Sequence, residues 1–333
     1  MTNKFTLIIP INNNIPSVSR QIKSILNYKY FPNEIVIVDV TKNGIKFDFK
    51  EYSNILNIKV TPLPCAHPGT ARNAGVKNSS NDIIAFTDLN TINSKFWTKK
   101  AIKFFTQNNL DILLGKRIDV INTYFQRLLR VNSTGRRFYV TLSGSILKKN
   151  IFQHIKFVDT RSGEDIYFIE NIKKMKEKKI GISPNSLRQK YYGLPNNIIL
   201  AVRKWFYYNL YASRLSIVHN QKNAYSIFLF FLFFTIFLSW NSIAANWDNN
   251  NILFVPHITK IYLLLVFISY LFIRGFWTLK ASGEKLKFII FNYPLILLLS
   301  FVLDLSKAPG LVIGQFYRVI NFLKKNDKLK KKY

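Results

Sequence analysis

Two acidic residues follow apolar runs that have the composition of buried strands. Asp39 ends the run Glu34 to Asp39 (EIVIVD), and Asp88 follows the run Asp82 to Thr87 (DIIAFT). In open α/β sheets, ligands bind beyond the carboxyl ends of the parallel strands. The sequence therefore predicts that both acids line one crevice.

A second pair of acids, Glu164 and Asp165, comes directly after Gly163 at a predicted helix start. A carboxylate there can act as a general base that takes the proton of an attacking hydroxyl. Two adjacent carboxylates repel each other, which raises the proton affinity of one of them. Because acids in a first helical turn also favour the helix dipole, helix capping is the structural alternative.

The elements that position these acids alternate between strand and helix. Apolar runs predict strands at Phe5 to Ile9, Glu34 to Asp39, Ile58 to Thr61, Asp82 to Thr87 and Phe138 to Leu147. Helical patterns lie at Pro16 to Asn27, Gly69 to Lys77, Lys95 to Gln107 and Glu164 to Lys178. This alternation predicts an α/β fold with a doubly wound, mostly parallel sheet.

Four stretches of this part resemble, in order, the family 2 glycosyltransferases of the GT-A fold. They are Thr6 to Asn13 (TLIIPINN), Glu34 to Asp39, His67 to Gly75 (HPGTARNAG) with Asp82 to Asn90 (DIIAFTDLN), and Gly163-Glu164-Asp165 with the helix that follows. The resemblance covers about the first 190 residues. It implies a GT-A-like enzyme that transfers a sugar from a nucleotide-sugar donor with inversion.

The resemblance also implies roles for single residues. Donor contacts would come from Pro10, Asn13, Asp39, Arg72 and Asn73. Asp88 and Asn90 occupy the positions of the family's Asp-x-Asp motif, which implies a divalent metal, Mg²⁺ or Mn²⁺, because hard cations prefer oxygen ligands. Asp165, with Glu164 beside it, would be the catalytic base.

Two departures from the family pattern weaken parts of this assignment. Asn90 offers a neutral amide oxygen where a second carboxylate is usual, so we expect weaker metal binding. Val40 stands where the family often has another acid, which leaves fewer groups for the donor base. Two structural alternatives also stay open: Asp39 could cap the following turn, and Arg72 could form a structural ion pair.

The charge distribution favours a membrane surface over nucleic acid. The chain has 48 Lys and Arg against 17 Asp and Glu, a formal net charge of +31. Clustered cations bind nucleic-acid phosphates, but here they flank apolar segments, at Lys173 to Lys190, near Arg203, and in the tail Lys324 to Lys332. This arrangement predicts binding to anionic membrane lipids and no nucleic-acid partner.

The single cysteine and the first residues limit the chemistry and the compartment. Cys65 is the only cysteine, so neither an intrachain disulfide nor a multi-cysteine metal site can form. Met1 to Pro10 lacks the long apolar stretch of a secretory leader, so none is predicted.

The second part of the chain has the composition of a membrane anchor. Asn197 to His219 is predicted as a helix in the interface plane, and Tyr225 to Trp240 and Ile258 to Trp277 as spans. The loop between these spans has no Lys or Arg, which predicts that it faces away from the cytoplasm. Phe288 to Leu303 is a third apolar stretch, and Leu311 to Leu323 is either a fourth crossing or part of a re-entrant hairpin.

Together these patterns predict four regions and a multi-pass protein of the cytoplasmic (inner) membrane. The regions are a GT-A-like catalytic domain (1–197), an interfacial amphipathic segment (198–222), transmembrane or re-entrant helices (223–323) and a basic cytoplasmic tail (324–333). The predicted acceptor is a lipid-linked or cell-surface glycan at the cytoplasmic face. Transfer to a polyprenyl phosphate, and a non-catalytic membrane scaffold that kept the fold, are the alternatives.

Overall fold

The computed structural model describes residues 4–133, 139–215, 235–257 and 283–330, with 259–261, 264–265, 267–269 and 272 between the last two ranges. The chain divides into two compact units, one within 1–121 and 138–194 and the other within 122–137 and 195–333. The segment 122–137 thus belongs to the second unit, although it lies inside the range suggested by the sequence for the catalytic domain.

The first unit is built on one mixed sheet. Its strands are β1 (Phe5–Ile11), β2 (Glu34–Asp39), β3 (Ile58–Pro62), β4 (Ile83–Phe86), β5 (Thr91–Ile92), β6 (Ile112–Asp119), β7 (Tyr139–Lys148), β8 (Ile180–Ile182) and β9 (Gln189–Tyr191). The strand order is β3-β2-β1-β4-β7-β6-β9-β5, with β8 paired to β6. Strands β1 to β4 are mutually parallel, and β7 runs antiparallel to both β4 and β6.

Helices cover both faces of this sheet. They are α1 (Ile15–Leu26), α2 (Pro68–Asn78) and α3 (Trp97–Gln107), and, after the helix α4 (Tyr124–Ser133) of the second unit, α5 (Ile151–His154) and α6 (Glu164–Lys173). Buried residues of α1 and α3 share one apolar core with the sheet, whereas those of α2, α5 and α6 share the other. The predicted doubly wound, GT-A-like α/β fold is confirmed.

Several elements differ from the sequence-based prediction. The strands β6, β8 and β9 were not predicted, because β6 carries Gly115, Lys116 and Arg117 inside its run and the other two have three residues each. The helix predicted from Glu164 to Lys178 ends at Lys173.

The second unit consists of helices in its described part. They are α4, α7 (Ile198–Ala212), α8 (Trp240–Ala244), α9 (Leu286–Phe291) and α10 (Tyr293–Lys330). Helix α10 packs against α7 and α4 through an apolar cluster that includes Leu129, Ala201 and Leu303. Asn197 caps α7, since its side chain accepts a hydrogen bond from the Leu200 amide at 2.9 Å.

Helix α10 corrects one prediction. A fourth crossing or a hairpin would need the chain to reverse near Pro309 and Gly310, but the helix continues through both residues. Pro309 lies on the exposed side, and Gly310 faces α7 so closely that an added Cβ would stand 2.5 Å from the Phe206 carbonyl oxygen. The tight contact with α7 accompanies a continuous helix where composition alone indicated a break.

Membrane crossing has limited support in the described part of the chain. There, one helical segment, Tyr293–Ile320, is long and apolar enough to span a bilayer, and core helices of soluble proteins can have the same properties. The predicted spans Tyr225 to Trp240 and Ile258 to Trp277 lie largely outside the described residues. A multi-pass arrangement is therefore not supported.

Candidate active site

A buried arginine joins acids from two distant parts of the sequence. Arg72, on α2, donates from Nη2 to Asp88 Oδ1 at 2.9 Å and from Nη1 to Glu164 Oε1 at 2.7 Å. Burial alone would lower the pKa of the Arg72 guanidinium, but the charges of Asp88, Glu164 and Asp165 raise it well above its ordinary value. The arginine is therefore a permanent cation that holds the two acids in fixed positions.

Asp88 lies at the carboxyl end of β4, where the sequence placed it. Its backbone amide donates to the hydroxyls of Thr91 and Ser143, each at 3.2 Å, which fixes the turn after the strand. About a third of the side chain is exposed, at 33%. Across the described ranges, neither Asp88 Oδ2 nor the exposed Asn90 side chain makes a hydrogen bond. Two oxygen ligands thus remain available at this edge of the sheet.

The acid pair opens α6 as predicted. Gly163 precedes it with a φ of 87°, a left-handed conformation that favours glycine. Burial raises the pKa of Glu164 to about 7, against the lowering effect of Arg72 and with a further increase from the charge of Asp165. Asp165 is partly exposed, and its Oδ1 accepts from the Ile166 amide at 2.8 Å. Of the two acids, Asp165 is the one accessible to a substrate.

Asp39 occupies the end of β2 but is engaged with its own loop. Its two oxygens accept from the amides of Thr41, at 2.9 Å, and Ile45, at 2.8 Å. This is the turn-capping arrangement that the sequence left open. Each carboxylate oxygen can accept a second hydrogen bond, so contact with a donor base stays a prediction.

Among the described residues, the remaining predicted donor residues make no side-chain hydrogen bond to the Arg72 cluster. Pro10 is near the end of β1, and Asn13 is exposed in the bend that follows. The Asn73 side chain donates to the Phe157 carbonyl oxygen at 2.8 Å and accepts from the Phe157 amide at 3.0 Å. These two bonds hold the segment before α6 against α2, which gives Asn73 a structural role. Its donor contact, like those of Pro10 and Asn13, stays a prediction.

The arrangement unites four of the predicted residues: Arg72, Asp88, Glu164 and Asp165. At one end of this cluster lies Asp88, which keeps a free carboxylate oxygen, and at the other lies the accessible carboxylate of Asp165. No group of three or more His, Cys, Asp or Glu that could hold a metal occurs within the described ranges. A cation at Asp88 would therefore take further oxygen ligands from water or from a bound substrate.

Sequence reasoning missed the hydroxyls that support Asp88. Thr91 Oγ1 and Ser143 Oγ lie 2.9 Å apart, beneath the turn after β4. Ser143 belongs to β7, which neighbours β4 in the sheet although 55 residues separate it from Asp88. A polar run inside a strand, as in β7, is a weak signal that pattern alone does not distinguish from an exposed face.

Comparison with known proteins gives a family for this region. Residues 6–165 match the family described as Glycosyl transferase family 2. Over 119 residues the chain is 29% identical to the poly(ribitol-phosphate) beta-N-acetylglucosaminyltransferase TarS of Staphylococcus aureus. This alignment covers 34% of this chain and 21% of that protein. Over 110 residues it is 33% identical to an uncharacterised glycosyltransferase of Rickettsia conorii, with 32% and 18% covered.

The matched region spans about a fifth of the length of these curated relatives. Among solved structures, residues 1–349 of S. aureus TarS in complex with UDP-GlcNAc match with a TM-score of 0.47 and 17% identity, over 95% of this chain and 91% of that one. The same fragment in complex with UDP matches with a TM-score of 0.44 and 18% identity, over the same shares of the two chains.

Proposed function

Because residues 6–165 make this chain a member of glycosyl transferase family 2, we propose that it is an inverting, nucleotide-sugar-dependent glycosyltransferase. Its acceptor would be a lipid-linked or cell-surface glycan at the cytoplasmic membrane face. The S. aureus relative is named as a transferase of N-acetylglucosamine, so UDP-GlcNAc is the first donor to test.

The Arg72 bridge is the observation that carries this proposal. A transferase needs a place for the leaving diphosphate and, within reach of it, a base for the acceptor hydroxyl. Arg72 contacts Asp88 on one side and Glu164 on the other, so a single buried cation fixes the distance between the two places. A strand-end acid that only capped a turn would not need such a partner.

Asp165 is the proposed base. The acceptor oxygen would attack the anomeric carbon as the bond from that carbon to the diphosphate oxygen breaks, and the hydroxyl proton would pass to Asp165. Its neighbour Glu164 is held by Arg72 and buried, so it orients the pair without meeting the substrate. Arg72 therefore acts as a positioning residue.

Asp88 and Asn90 fit a divalent cation in part. Their free oxygens are ligands of the kind that Mg²⁺ and Mn²⁺ prefer, and Mg²⁺ is commonly held by one or two carboxylates together with substrate phosphates. When bound, such a cation would neutralise charge on the leaving diphosphate. We propose that Asp88 would hold the cation beside the donor diphosphate, with Asn90 as a weaker ligand.

Activity should require a divalent cation, and Asp88→Asn should lower transfer by about 10²-fold, because the leaving-group charge is then less well neutralised. The asparagine keeps an oxygen for Arg72, so the bridge can persist. Asn90→Asp should lower the metal concentration for half-maximal activity by roughly tenfold, since ligand charge tunes cation affinity. Metal titrations of the transfer rate measure both effects.

Asp82→Asn is the matched control, because Asp82 is an exposed acid at the opposite end of the same stretch. It should leave the metal titration unchanged. Full turnover of the wild-type protein in excess chelator would remove the metal from the proposal.

The proposed function itself is tested by nucleoside diphosphate release. The full-length protein would be assayed with a panel of nucleotide sugars, each with and without membrane lipid extract. Release that depends on one donor and on the extract is expected. No release with any donor would favour the non-catalytic scaffold. Release that is insensitive to Asp165→Asn would favour transfer to a polyprenyl phosphate, whose oxygen is already anionic.

For the second unit we propose attachment to an anionic membrane surface through α10. An exposed apolar stripe runs along this helix with spacings of three, four or seven residues, which keep its members on one side: Leu295, Leu298, Leu305, Val312, Phe316 and Val319. It extends roughly 36 Å at 1.5 Å per residue. Exposed cations of the same unit, Arg203, Lys204, Lys285 and Lys287, suit acidic headgroups.

Leu298→Glu should weaken binding to vesicles of anionic phospholipid by roughly tenfold or more, because an exposed apolar side chain that would enter the lipid is replaced by a charge that anionic lipid repels. Flotation of the full-length protein with phosphatidylglycerol vesicles measures the bound fraction. Ile55→Glu introduces the same charge at an exposed isoleucine of the first unit and should have little effect. Equal loss in the two variants would contradict attachment through α10.

A further inference from the structure

Arg117, on β6, is held between two aromatic rings. Its guanidinium carbon lies 4.7 Å from the ring centroid of Tyr139 and 4.2 Å from that of Tyr191. Tyr139 lies on β7 and pairs in register with Arg117, whereas Tyr191 lies on β9, on the other side of β6. Strands on both sides thus fix the plane of the guanidinium, so its hydrogen-bond donors point in defined directions.

Arg117 has no counterion in direct contact among the residues that the structure describes. Within the described residues, no carboxylate oxygen lies within the 4.0 Å of a salt bridge, and the buried Nε has no hydrogen-bond acceptor. The nearest acid on its own strand, Asp119, is turned to Tyr139, whose hydroxyl donates to Oδ2. A largely desolvated cation without a paired anion is unfavourable. An anionic ligand would supply the missing partner.

A neighbouring side chain also has unused hydrogen-bonding capacity. Gln189 lies on β9, pairs in register with Arg117 and is fully buried. Neither its amide nitrogen nor its amide oxygen has a partner in the part of the chain that the structure describes. Two cross-strand neighbours therefore offer polar groups that the folded protein does not use.

The charge of the proposed base, Asp165, acts on Arg117. Burial alone would lower the pKa of the Arg117 guanidinium, but nearby tyrosines and the charges of Asp119 and Asp165 raise it. Asp165 also acts on Arg72, together with Asp88 and Glu164. The charge of Asp165 thus acts on both arginines, and Arg72 is the one that contacts Asp88, at the proposed diphosphate end. Arg117 is left for the acceptor.

We propose that Arg117 binds an anionic oxygen pair of the acceptor, of the phosphate or phosphodiester class, beside the hydroxyl that Asp165 deprotonates. That this anion belongs to the acceptor rests on the proposed function, but binding of the anion needs no turnover. A planar guanidinium matches two oxygens of a phosphate in parallel. The acids Asp119 and Asp165 would otherwise repel such an acceptor, so the arginine makes its approach possible and selects for it.

The test measures binding of sn-glycerol 3-phosphate to the full-length protein by ³¹P NMR, with glycerol followed by ¹H NMR as the neutral counterpart. Saturating UDP and Mg²⁺ occupy the donor side. We expect Arg117→Gln to weaken binding of the phosphate by at least about tenfold, equivalent to about 1.4 kcal/mol. Lys116→Gln removes the same charge from the adjacent position, where the lysine contacts Asn185, and should leave binding within about twofold.

Several results would overturn the inference. They are unchanged phosphate binding in Arg117→Gln, equal binding of glycerol, or phosphate binding that is seen without UDP and lost at saturating UDP, which would assign the anion to the donor site. If Arg117→Gln does not fold, as its thermal midpoint would show, Arg117→Lys decides: it keeps the charge without the planar fork, and wild-type binding in it contradicts bidentate recognition. Failure of the proposed function would appear separately, as absent nucleoside diphosphate release by the wild-type protein.

Discussion

Asp165→Asn is expected to abolish most sugar transfer while leaving donor binding intact. The asparagine keeps the size of the side chain and can still accept the hydrogen bond from the Ile166 amide. It cannot take a proton from the acceptor hydroxyl. General bases contribute about 10²- to 10⁴-fold in rate, so a loss of this size is expected if the chemical step limits turnover. Transfer rate and nucleotide-sugar affinity, measured on the same preparation, give the two readouts.

A capping role for Asp165 predicts a different result. Loss of a cap destabilises a protein by about 0.5–2 kcal/mol, and the folded fraction would stay active. Asp159→Asn is a suitable control, because Asp159 is an exposed acid of the same loop region and accepts a hydrogen bond from Thr70. A near-normal transfer rate with a lowered thermal midpoint in Asp165→Asn would make Asp165 a structural residue.

The sequence predicts the first half of the fold well because its central strands β1, β2 and β4 are mostly apolar, buried runs. Strands such as β2 are buried on both faces, and that burial appears directly in the composition EIVIVD. β6 is different: its second half, Gly115 to Asp119, faces polar neighbours such as Tyr139 and Gln189. Its pattern is set by cross-strand partners that are distant in sequence, so no local rule could find it.

The candidate site shows the same limit. Motif resemblance indicates Arg72, Asp88 and Glu164 separately, but 92 residues separate Arg72 from Glu164, and only the folded chain reveals one guanidinium between two acids. Arg117 belongs to none of the motif stretches. Its one local signal is a charged residue inside a strand, which becomes informative only when the flanking tyrosines are known.

Arg72→Met is expected to destabilise the protein by about 3–5 kcal/mol, because removal of one partner from a buried ion pair leaves an uncompensated charge. Methionine fills much of the same volume, so the effect reports the charge more than a cavity. Glu164 is the group left unpaired, since Asp88 is a third exposed and can be hydrated. Chemical denaturation of the full-length protein measures the loss in free energy of unfolding, and the transfer rate is measured in parallel.

The loss of stability caused by Arg72→Met should grow with pH. The folded-state pKa of Glu164 is already raised above its ordinary 4.5, to about 7, and without Arg72 it rises further. A folded state that retains a proton which the unfolded state has released loses stability as pH increases through that window. Arg72→Met should therefore be less destabilising at about pH 5 than at about pH 8.

The double variant Arg72→Met/Glu164→Gln identifies the cause. With the buried charge removed, stability should return in large part and the pH dependence should flatten, whereas transfer should stay low because nothing then fixes Asp88 relative to the acid pair. Arg72→Lys should rescue poorly, since one ammonium replaces a planar fork that contacts two acids at once. Equal destabilisation by Arg72→Met at both pH values, with no recovery in the double variant, would show that Arg72 contributes through packing alone and would remove the bridge from the proposed mechanism.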